Sequence, residues 1–347
     1  MGSSEGARRT LLGLVALSTL AGQAAAETRA AGGATDAALQ ALVAKDLRVA
    51  TISYRLQTAA VDHCPRRDTL SGLVVQDPSQ YRADLRLGMA TLYGMTDLPT
   101  VVAVVPGGAG DRAGVRPGDS IAAIDGDGVA ADLPEVPGSK PDGRRFTAMI
   151  ARLEQAFAKG PVVLTVRRGG ASSTLTVTGA PACQSATELD LSPARNASAD
   201  GRTVSISQGI ADFARSDDQL AFVIGHELSH NILGHRDFLD STHTSRGLLR
   251  GIGGNGARIR ETERQADYLG VYMVAWAGYD PHAAADFWQR MGHGDVLGGV
   301  IGDGTHPGNG ARIRDLTRAA AEIDAERAAG RPVVPDYAAF EAAGENR

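Results

Sequence analysis

The sequence predicts an α+β chain with a mainly helical domain, a small edge sheet and an inserted β-rich domain. Apolar runs with helix caps dominate the chain after residue 204, whereas residues 68–182 contain short β-rich runs separated by Gly, Pro and Asp. Two cysteines bracket this β-rich segment, at positions 64 and 183. A length of 347 residues suits two domains with accessory segments.

Composition narrows the class of protein. Hydrophobic residues make up 43% of the chain, which is ample for packed cores, and the formal net charge is −5. An overall negative charge argues against nucleic acid as the main partner, so none is expected. Composition carries no signal for an oligomeric state.

Residues 1–26 have the organisation of a signal peptide. Arg8-Arg9 precedes an apolar run, Leu11–Gly22, and Ala24-Ala25-Ala26 is a small-residue cleavage site. The apolar run is too short to span a bilayer, and no later stretch is long enough for a transmembrane helix. We therefore expect an exported mature chain in a periplasm, with secretion as the alternative.

Residues 27–63 are expected to form an N-terminal helical segment. A helix is predicted from Asp36 to about Val61, because no proline interrupts it and its apolar residues share one face: Ala37, Leu39, Leu42, Val43, Leu47, Val49, Ile52 and Leu56. One helix cannot bury such a face alone. We expect it to pack on the helical domain, across the inserted segment.

The stretch Gly225-His226-Glu227-Leu228-Ser229-His230 carries the strongest chemical signal. Its two histidines are four residues apart, so they lie on one face of a helix and can bind one zinc ion together. Glu227, between them, is the residue type that takes a proton from a zinc-bound water. Ser216 supplies a helix cap ahead of the apolar run Leu220–Ile224. The alternative is an amphipathic helix with two incidental histidines.

A third ligand is expected from a second helix, because the residues after His230 do not have the metzincin spacing. Glu263 and Asp267 are four residues apart and share one helical face. One can bind the metal while the other accepts a hydrogen bond from a ligand histidine. Glu261 is the rival ligand, although it lacks an acid four residues on. A solvated acidic helix start is the alternative.

These motifs resemble the gluzincin peptidases of the HtpX-like and Oma-like group, metallopeptidase family forty-eight. The resemblance runs from about Val204 to Leu316 and rests on three motifs in order: His226-Glu227-x-x-His230, Glu263-x-x-Ala266-Asp267, and Thr305-His306-Pro307 followed by Arg312-Ile313. It implies a zincin-type fold with one Zn²⁺ per chain, bound by His226, His230 and Glu263. Glu227 would be the general base.

The same resemblance implies two further site residues. His306 would stabilise the oxyanion, and Arg312 would support the site. Arg258 lies in a copy of the same short motif, Gly-Asn-Gly-Ala-Arg-Ile-Arg, but only Arg312 follows the His-Pro pair. His235 also falls where the family often has a histidine.

Residues 64–183 are expected to form a PDZ-like domain, since Ala113–Gly128 looks like the core signature of that fold. Four strands are predicted at Val101–Val105, Ser120–Ile124, Val162–Arg167 and Ser173–Thr178. One helix is predicted at Phe146–Phe157. By this resemblance an extended peptide adds a strand beside a helix, and a Gly-containing loop takes its terminal carboxylate. That loop is assigned to Leu87, Gly88, Met89 and Ala90. A spacer domain without a ligand is the alternative.

Cys64 and Cys183 are predicted to form a disulfide. The ends of an inserted domain lie close together, so the pair can bond, and the expected export makes oxidation chemically reasonable. Two unpaired buried thiols are the alternative.

Residues 184–330 are expected to form the metallopeptidase domain, with a tail at 331–347. Val204-Ser205-Ile206 is predicted as an edge strand that holds substrate beside the metal, or as an ordinary sheet strand. The Gly-rich stretch 247–256 is interpreted as a lid or a passive linker, without preference. Phe287 and Trp288 are interpreted as core residues.

Together these features predict a zinc-dependent endopeptidase of the cell envelope. Its expected partners are polypeptide substrates, including unfolded envelope proteins, captured in part by the PDZ-like domain and cleaved when misfolded or misassembled. The alternatives are a zinc-stabilised peptide-binding or chaperone-like protein with little turnover, and a structural scaffold.

Overall fold

Helices and several sheets share the chain. The structure is a computed structural model that describes residues 12–130, 133, 138, 140–244, 253–294 and 309–340. The mixture of helical and β elements within these ranges confirms the expected α+β class. No helix in them is both long and apolar enough to cross a membrane.

The long first helix, α1 (Leu12–Ala59), joins two parts of the molecule. Residues 1–11 of the expected signal peptide lie outside the described residues, and the rest is continuous with α1. Val49, Ile52 and Leu56 belong to the core of the helical domain. Leu39 and Val43 instead pack in a second cluster, with residues of the inserted segment. The helix therefore buries its apolar face against both.

The inserted segment, residues 64–183, begins and ends at one place. Strand β1 (Arg67–Leu70) pairs antiparallel with β8 (Ala180–Cys183), and Arg67 lies opposite Cys183. The structure joins Cys64 and Cys183 in a disulfide, with their Cα atoms 5.5 Å apart. The β1–β8 pairing and the disulfide together hold the two ends of the insertion side by side, and we call this part of the structure the neck.

Beyond this neck, the inserted segment folds around a hydrophobic core of its own. Its main sheet has the strand order β2-β3-β4-β6-β7, with β5 paired to β4. The strands and helices are β2 (Leu73–Gln76), α2 (Ala83–Tyr93), β3 (Thr100–Val104), α3 (Ala109–Arg112), β4 (Ser120–Ile124), β5 (Asp127–Gly128), α4 (Arg144–Phe157), β6 (Val162–Arg168) and β7 (Ala171–Val177). The four predicted strands and the predicted helix agree with β3, β4, β6, β7 and α4 to within two residues.

The assignment of Leu87, Gly88, Met89 and Ala90 to a carboxylate-binding loop is wrong. All four residues lie inside α2, where the backbone N–H groups are used in helical hydrogen bonds and cannot bind an anion. Gly88 and Met89 are buried, and Met89 packs in the cluster that contains Leu39 of α1. The glycine therefore serves helix packing.

The helical domain starts with a small sheet and continues with helices. Its elements are β9 (Ala186–Asp190), β10 (Ala197–Ala199), β11 (Thr203–Ser207), α5 (Gln208–Phe213), α6 (Asp217–Ile232), α7 (His235–Ser241), α8 (Gly253–Trp276), α9 (Ala283–Gly294) and α10 (Asn309–Ala328). The predicted strand Val204–Ile206 is β11, but it is not an edge strand. It lies between β9 and β10, so both its edges are paired and β10 is the edge strand near α6.

The Gly-rich stretch 247–256 is only partly described. Residues 247–252 lie outside the described residues, and Gly253, Gly254 and Gly256 belong to the first turns of α8.

A polar contact connects α1 with the inserted segment. Asp46 of α1 accepts a hydrogen bond from Gln76 Nε2 at 2.7 Å, and Gln76 Oε1 accepts one from the hydroxyl of Tyr81. Burial raises the pKa of Asp46 from 3.8 to about 6, although the Gln76 hydrogen bond lowers it. The folded protein therefore holds this proton more tightly than the unfolded chain.

Replacing Asp46 by Asn should make stability less dependent on pH. Because the folded-state pKa is raised, ionisation of Asp46 costs stability as the pH rises from 3.8 to above 6. In denaturant unfolding, Asp46→Asn should be more stable than wild type by about 3 kcal/mol at pH 7.5, whereas at pH 4 the two proteins should have nearly the same stability. The exposed Asp62→Asn is the control and should match wild type at both pH values. A gain for Asp46→Asn that is the same at both pH values would contradict this account.

Candidate metal centre

The helix α6 presents His226 and His230 side by side. Ser216 caps its start by accepting a hydrogen bond from the Gln219 N–H, and Gly234, with a φ of 66°, follows its end. The Nε2 atoms of His226 and His230 are 3.2 Å apart, so the two ring nitrogens point to the same place. The predicted pair is thus assembled by the helical period alone.

Glu263 of α8 completes a three-residue cluster. Its carboxylate oxygens lie 3.5 Å from His226 Nε2 and 3.5 Å from His230 Nε2. One ligand atom from each residue falls within 4.8 Å of the others. Two imidazole nitrogens and one carboxylate oxygen are a donor set that suits a catalytic zinc ion, which keeps a fourth position open. Glu261, the rival ligand, is bonded to Arg264 at 2.7 Å.

Two glycines allow α6 and α8 to cross closely at this point. A Cβ atom on Gly225 would lie 3.2 Å from the carbonyl oxygen of Gly270, and one on Gly270 would lie 3.0 Å from the backbone nitrogen of His226. Any larger residue would push the helices apart. Close backbone contact therefore sets the distance from Glu263 to the two histidines.

Asp267 orients His226 from the side away from Glu263. Its Oδ1 atom lies 2.9 Å from His226 Nδ1, which leaves Nε2 facing Glu263. Arg312 of α10 pairs with the same carboxylate at 2.6 Å, and both residues are buried. The guanidinium of Arg312 also lies 3.6 Å from the ring centroid of Trp288. A buried ion pair thus fixes the ligand histidine and ties α10 to α8.

These contacts shift the pKa values of the cluster. Burial alone would lower the pKa of His226, but the hydrogen bonds to Asp267 and Glu263 outweigh burial and raise it to about 10. Burial lowers the pKa of His230 to about 3. Burial would raise the pKa of Asp267, yet the charges of Arg312 and His226 hold it below its ordinary value. A metal must therefore displace a proton from His226, while His230 is ready to bind.

His235 extends the polar network beyond the ligands. Its Nδ1 lies 2.9 Å from His230 Nδ1, and its Nε2 lies 3.2 Å from Gln265 Oε1. Burial lowers the pKa of His235 to about 4, so the ring is neutral at pH 7. Gln265 was missed from the sequence because a single glutamine in a polar helix turn carries no signal.

A pocket beside the cluster is lined by residues that the sequence suggested were only core. Phe287 and Trp288 of α9 form its wall together with Phe222, Val223, Ile210, Asn196, Ala197, His226, Glu227 and Arg312. Trp288 has a buried indole N–H with no hydrogen-bond partner among the described residues. Helical periodicity identifies buried residues, but it does not show which of them border a cleft.

Two remaining site predictions differ in outcome. Of the two arginines in the repeated motif, Arg312 lies at the cluster, as predicted, whereas Arg258 donates to Thr244 and Asn255. His306 lies outside the described residues.

Comparison with known proteins agrees with this geometry. Residues 172–250 and 253–320 match the model of peptidase family M48. The chain is 27% identical over 150 residues to the mitochondrial metalloendopeptidase OMA1 of Schizosaccharomyces pombe, and 29% identical over 133 and 132 residues to the OMA1 proteins of Arabidopsis thaliana and Homo sapiens. These matches support a hydrolase of the metalloendopeptidase class.

The matches cover 37%, 32% and 29% of this chain, and they span less than half the length of each relative: 44%, 26% and 25%. The expected periplasmic or secreted location is wrong by this comparison, because all three relatives are mitochondrial by name. A basic pair before an apolar run misled the prediction, since different targeting segments share these features.

Replacing Asp267 by Asn should weaken the site and the fold together. The change leaves Arg312 as a buried cation without its counter-charge, which costs about 3 kcal/mol of stability. It also removes the charge that orients His226, so zinc affinity should fall roughly 10- to 100-fold. Unfolding by denaturant and competition with a zinc chelator measure the two effects.

The control is Asp324→Asn, which alters an exposed Asp–His pair, with His282 Nε2 2.8 Å from Asp324. It should leave both quantities unchanged. Wild-type zinc affinity in Asp267→Asn would show that Asp267 does not support the metal ligand.

Proposed function

We propose that the protein is a zinc-dependent endopeptidase that cleaves unfolded or misfolded polypeptides. One observation carries this proposal. Glu227 lines a pocket, and it lies on the same helix, α6, as His226 and His230, which converge with Glu263. A general base, three ligands and a cleft are thus arranged together. The family match and the relatives support the same reaction class.

His226, His230 and Glu263 would hold the zinc ion. When bound, zinc supplies Lewis acidity, which lowers the pKa of a water and polarises the scissile carbonyl. The residues fit this role because their ligand atoms already converge within 4.8 Å and Asp267 occupies the other nitrogen of His226.

Glu227 takes the proton of the attacking water and returns it to the leaving amine. Arg312 keeps His226 and Asp267 in place through its buried ion pair. His306, outside the described residues, is proposed to donate to the oxyanion, a role that rests on the family resemblance.

The substrate is proposed to bind as an extended strand along β10. This strand is at the edge of its sheet, and Ala197 at its start lines the pocket with His226 and Glu227. Strand addition uses backbone hydrogen bonds, so it requires a locally unfolded substrate. The adjacent pocket, with Phe222, Phe287 and Trp288, suits an apolar side chain next to the scissile bond.

Replacing Glu227 by Gln should abolish turnover without removing the metal. Loss of a general base typically costs 10²- to 10⁴-fold in rate, and glutamine has nearly the same shape. Cleavage of reduced casein by wild type and Glu227→Gln, with and without chelator, tests this, with zinc content measured in parallel. Equal activity in both proteins would contradict the proposal. Zinc bound by both, with no cleavage by either, would favour the peptide-binding alternative.

A matched pair on α8 tests the ligand assignment in the same assay. Glu263→Gln should lose zinc, whereas Glu261→Gln should keep zinc and activity, since Glu261 bonds to Arg264. Loss of zinc in Glu261→Gln alone would reverse the assignment.

The inserted segment is proposed to be a PDZ-like domain that helps to capture substrate. Its strand β2 is at an edge of the main sheet, and α4 begins beside the residues that follow β2, where Asp142 donates its N–H to the carbonyl of Ser79 at 2.8 Å. An edge strand beside a helix is the arrangement that accepts an added strand.

Capture at β2 should protect its backbone amides from hydrogen exchange. Glu227→Gln protein would be mixed with reduced casein, and exchange would be followed in Leu73–Gln76 and in β7 at the opposite edge. Protection should rise at β2 and stay unchanged at β7. An equal response of both strands, or of neither, would count against capture by this domain.

A further inference from the structure

A second depression lies next to the cleft and is lined by arginines from three parts of the chain. Arg195 precedes β10, Arg215 precedes α6, and Arg290 belongs to α9. Phe213 of α5 lines the same depression. We call these four residues and their surroundings the arginine pocket.

The arginine pocket is held in a defined shape. The guanidinium carbons of Arg195 and Arg290 lie 4.2 and 4.3 Å from the ring centroid of Phe213. Arg290 also donates to the Phe213 carbonyl and to Gln219 Oε1, each at 2.5 Å. The same Gln219 oxygen accepts a hydrogen bond from the backbone N–H of Arg215 at 3.0 Å. Stacking on Phe213, together with the hydrogen bonds of Arg290, thus holds the guanidinium groups of Arg195 and Arg290 in place.

Positive charge in this pocket exceeds negative charge. Among the described residues, neither Arg215 nor Arg290 has a carboxylate partner. Asp212, the acidic residue of the lining, is bonded to Lys45 at 2.7 Å. Burial lowers the pKa of Arg290, as do the charges of Arg215 and Arg195. An anion placed here would relieve repulsion among like charges.

The arginine pocket adjoins the cleft through neighbouring residues. Asn196 and Trp288 line the cleft, whereas Arg195 and Gln289, next to them in sequence, line the arginine pocket. Phe213 also meets the ring of Phe287 at 5.7 Å, edge to face. A strand advances about 3.3 Å per residue, so a substrate along β10 reaches the arginines within a few residues of the cut.

We propose that the arginine pocket is a specificity subsite for an Asp or Glu side chain of the substrate, two to four residues from the scissile bond. This inference rests on the proposed peptidase function and names a feature of its substrates. Arginine binds a carboxylate through charge-assisted hydrogen bonds, and Arg215, which is exposed and makes no side-chain bond to a described residue, is available for this.

Binding of blocked peptides to the inactive full chain tests the subsite without requiring turnover. Labelled peptides, acetylated and amidated at their ends, would carry Glu or Gln at one position at a time, and binding to zinc-loaded Glu227→Gln protein would be followed by fluorescence anisotropy. Glu should bind about five- to tenfold more tightly than Gln at one position only, and less so at high salt.

Arg215→Gln, added to Glu227→Gln, should reduce this preference, and Arg215→Glu should favour Lys at the same position. The matched control is Arg116→Gln, which removes the same charge from an exposed arginine on the inserted segment and should leave the preference intact. Equal binding of Glu and Gln peptides at every position overturns the subsite, and so does a complete lack of peptide binding. An equal effect of Arg116→Gln and Arg215→Gln would also overturn it, since only overall charge would then matter.

Cleavage of the same peptides by wild type separates the two proposals. Glu227-dependent cleavage without a preference for Glu supports the peptidase function and rejects the subsite. A preference in binding without any Glu227-dependent cleavage rejects the peptidase function and supports the subsite as a carboxylate-binding site.

Discussion

The close crossing of α6 and α8 is the contact on which the candidate centre depends. Gly225 and Gly270 let the two backbones meet, and this sets the reach from Glu263 to the histidines of α6. One turn further along α8, Asp267 reaches the opposite nitrogen of His226. Its charge is balanced by Arg312, which draws α10 onto the pair. Three helices are therefore positioned by one backbone contact and one buried ion pair, and a ligand set follows from their geometry.

Charge is distributed differently in the metal centre and in the arginine pocket. At the metal centre, the buried carboxylates of Glu263 and Asp267 face histidines and a paired arginine, so the charges are balanced inside the fold. In the arginine pocket, Arg195 and Arg290 stack on Phe213, and Arg290 donates to two neutral oxygens. Stacking on an aromatic ring helps to stabilise arginines where they outnumber acidic residues, as they do in this lining.

Local patterns predicted much of the site, because its chemistry follows the helical period. His226 and His230, and likewise Glu263 and Asp267, are each four residues apart, and such pairs share a face in any helix. What the sequence could not provide are contacts between distant segments. The order of β9, β10 and β11 depends on pairing across the sheet, which a short alternating run does not specify. Leu87–Ala90 was misassigned for a related reason: a glycine in a short motif suits a loop, and only its packing against α1 shows a helix.

The paired ends of the inserted segment attach it to the helical domain at one fixed place. The first and last residues of the segment are neighbours, since β1 pairs with β8 and the Cα atoms of Cys64 and Cys183 are 5.5 Å apart. A different domain with equally close ends could be inserted here without changing the distance between the two attachment points on the helical domain. It would not be exchangeable alone, however, because Leu39, Val43 and Asp46 of α1 are shaped to the present occupant. An exchange of this domain would have to replace the stretch of α1 around Leu39–Asp46 together with the insertion, so two stretches that are separate in sequence would have to change as one unit.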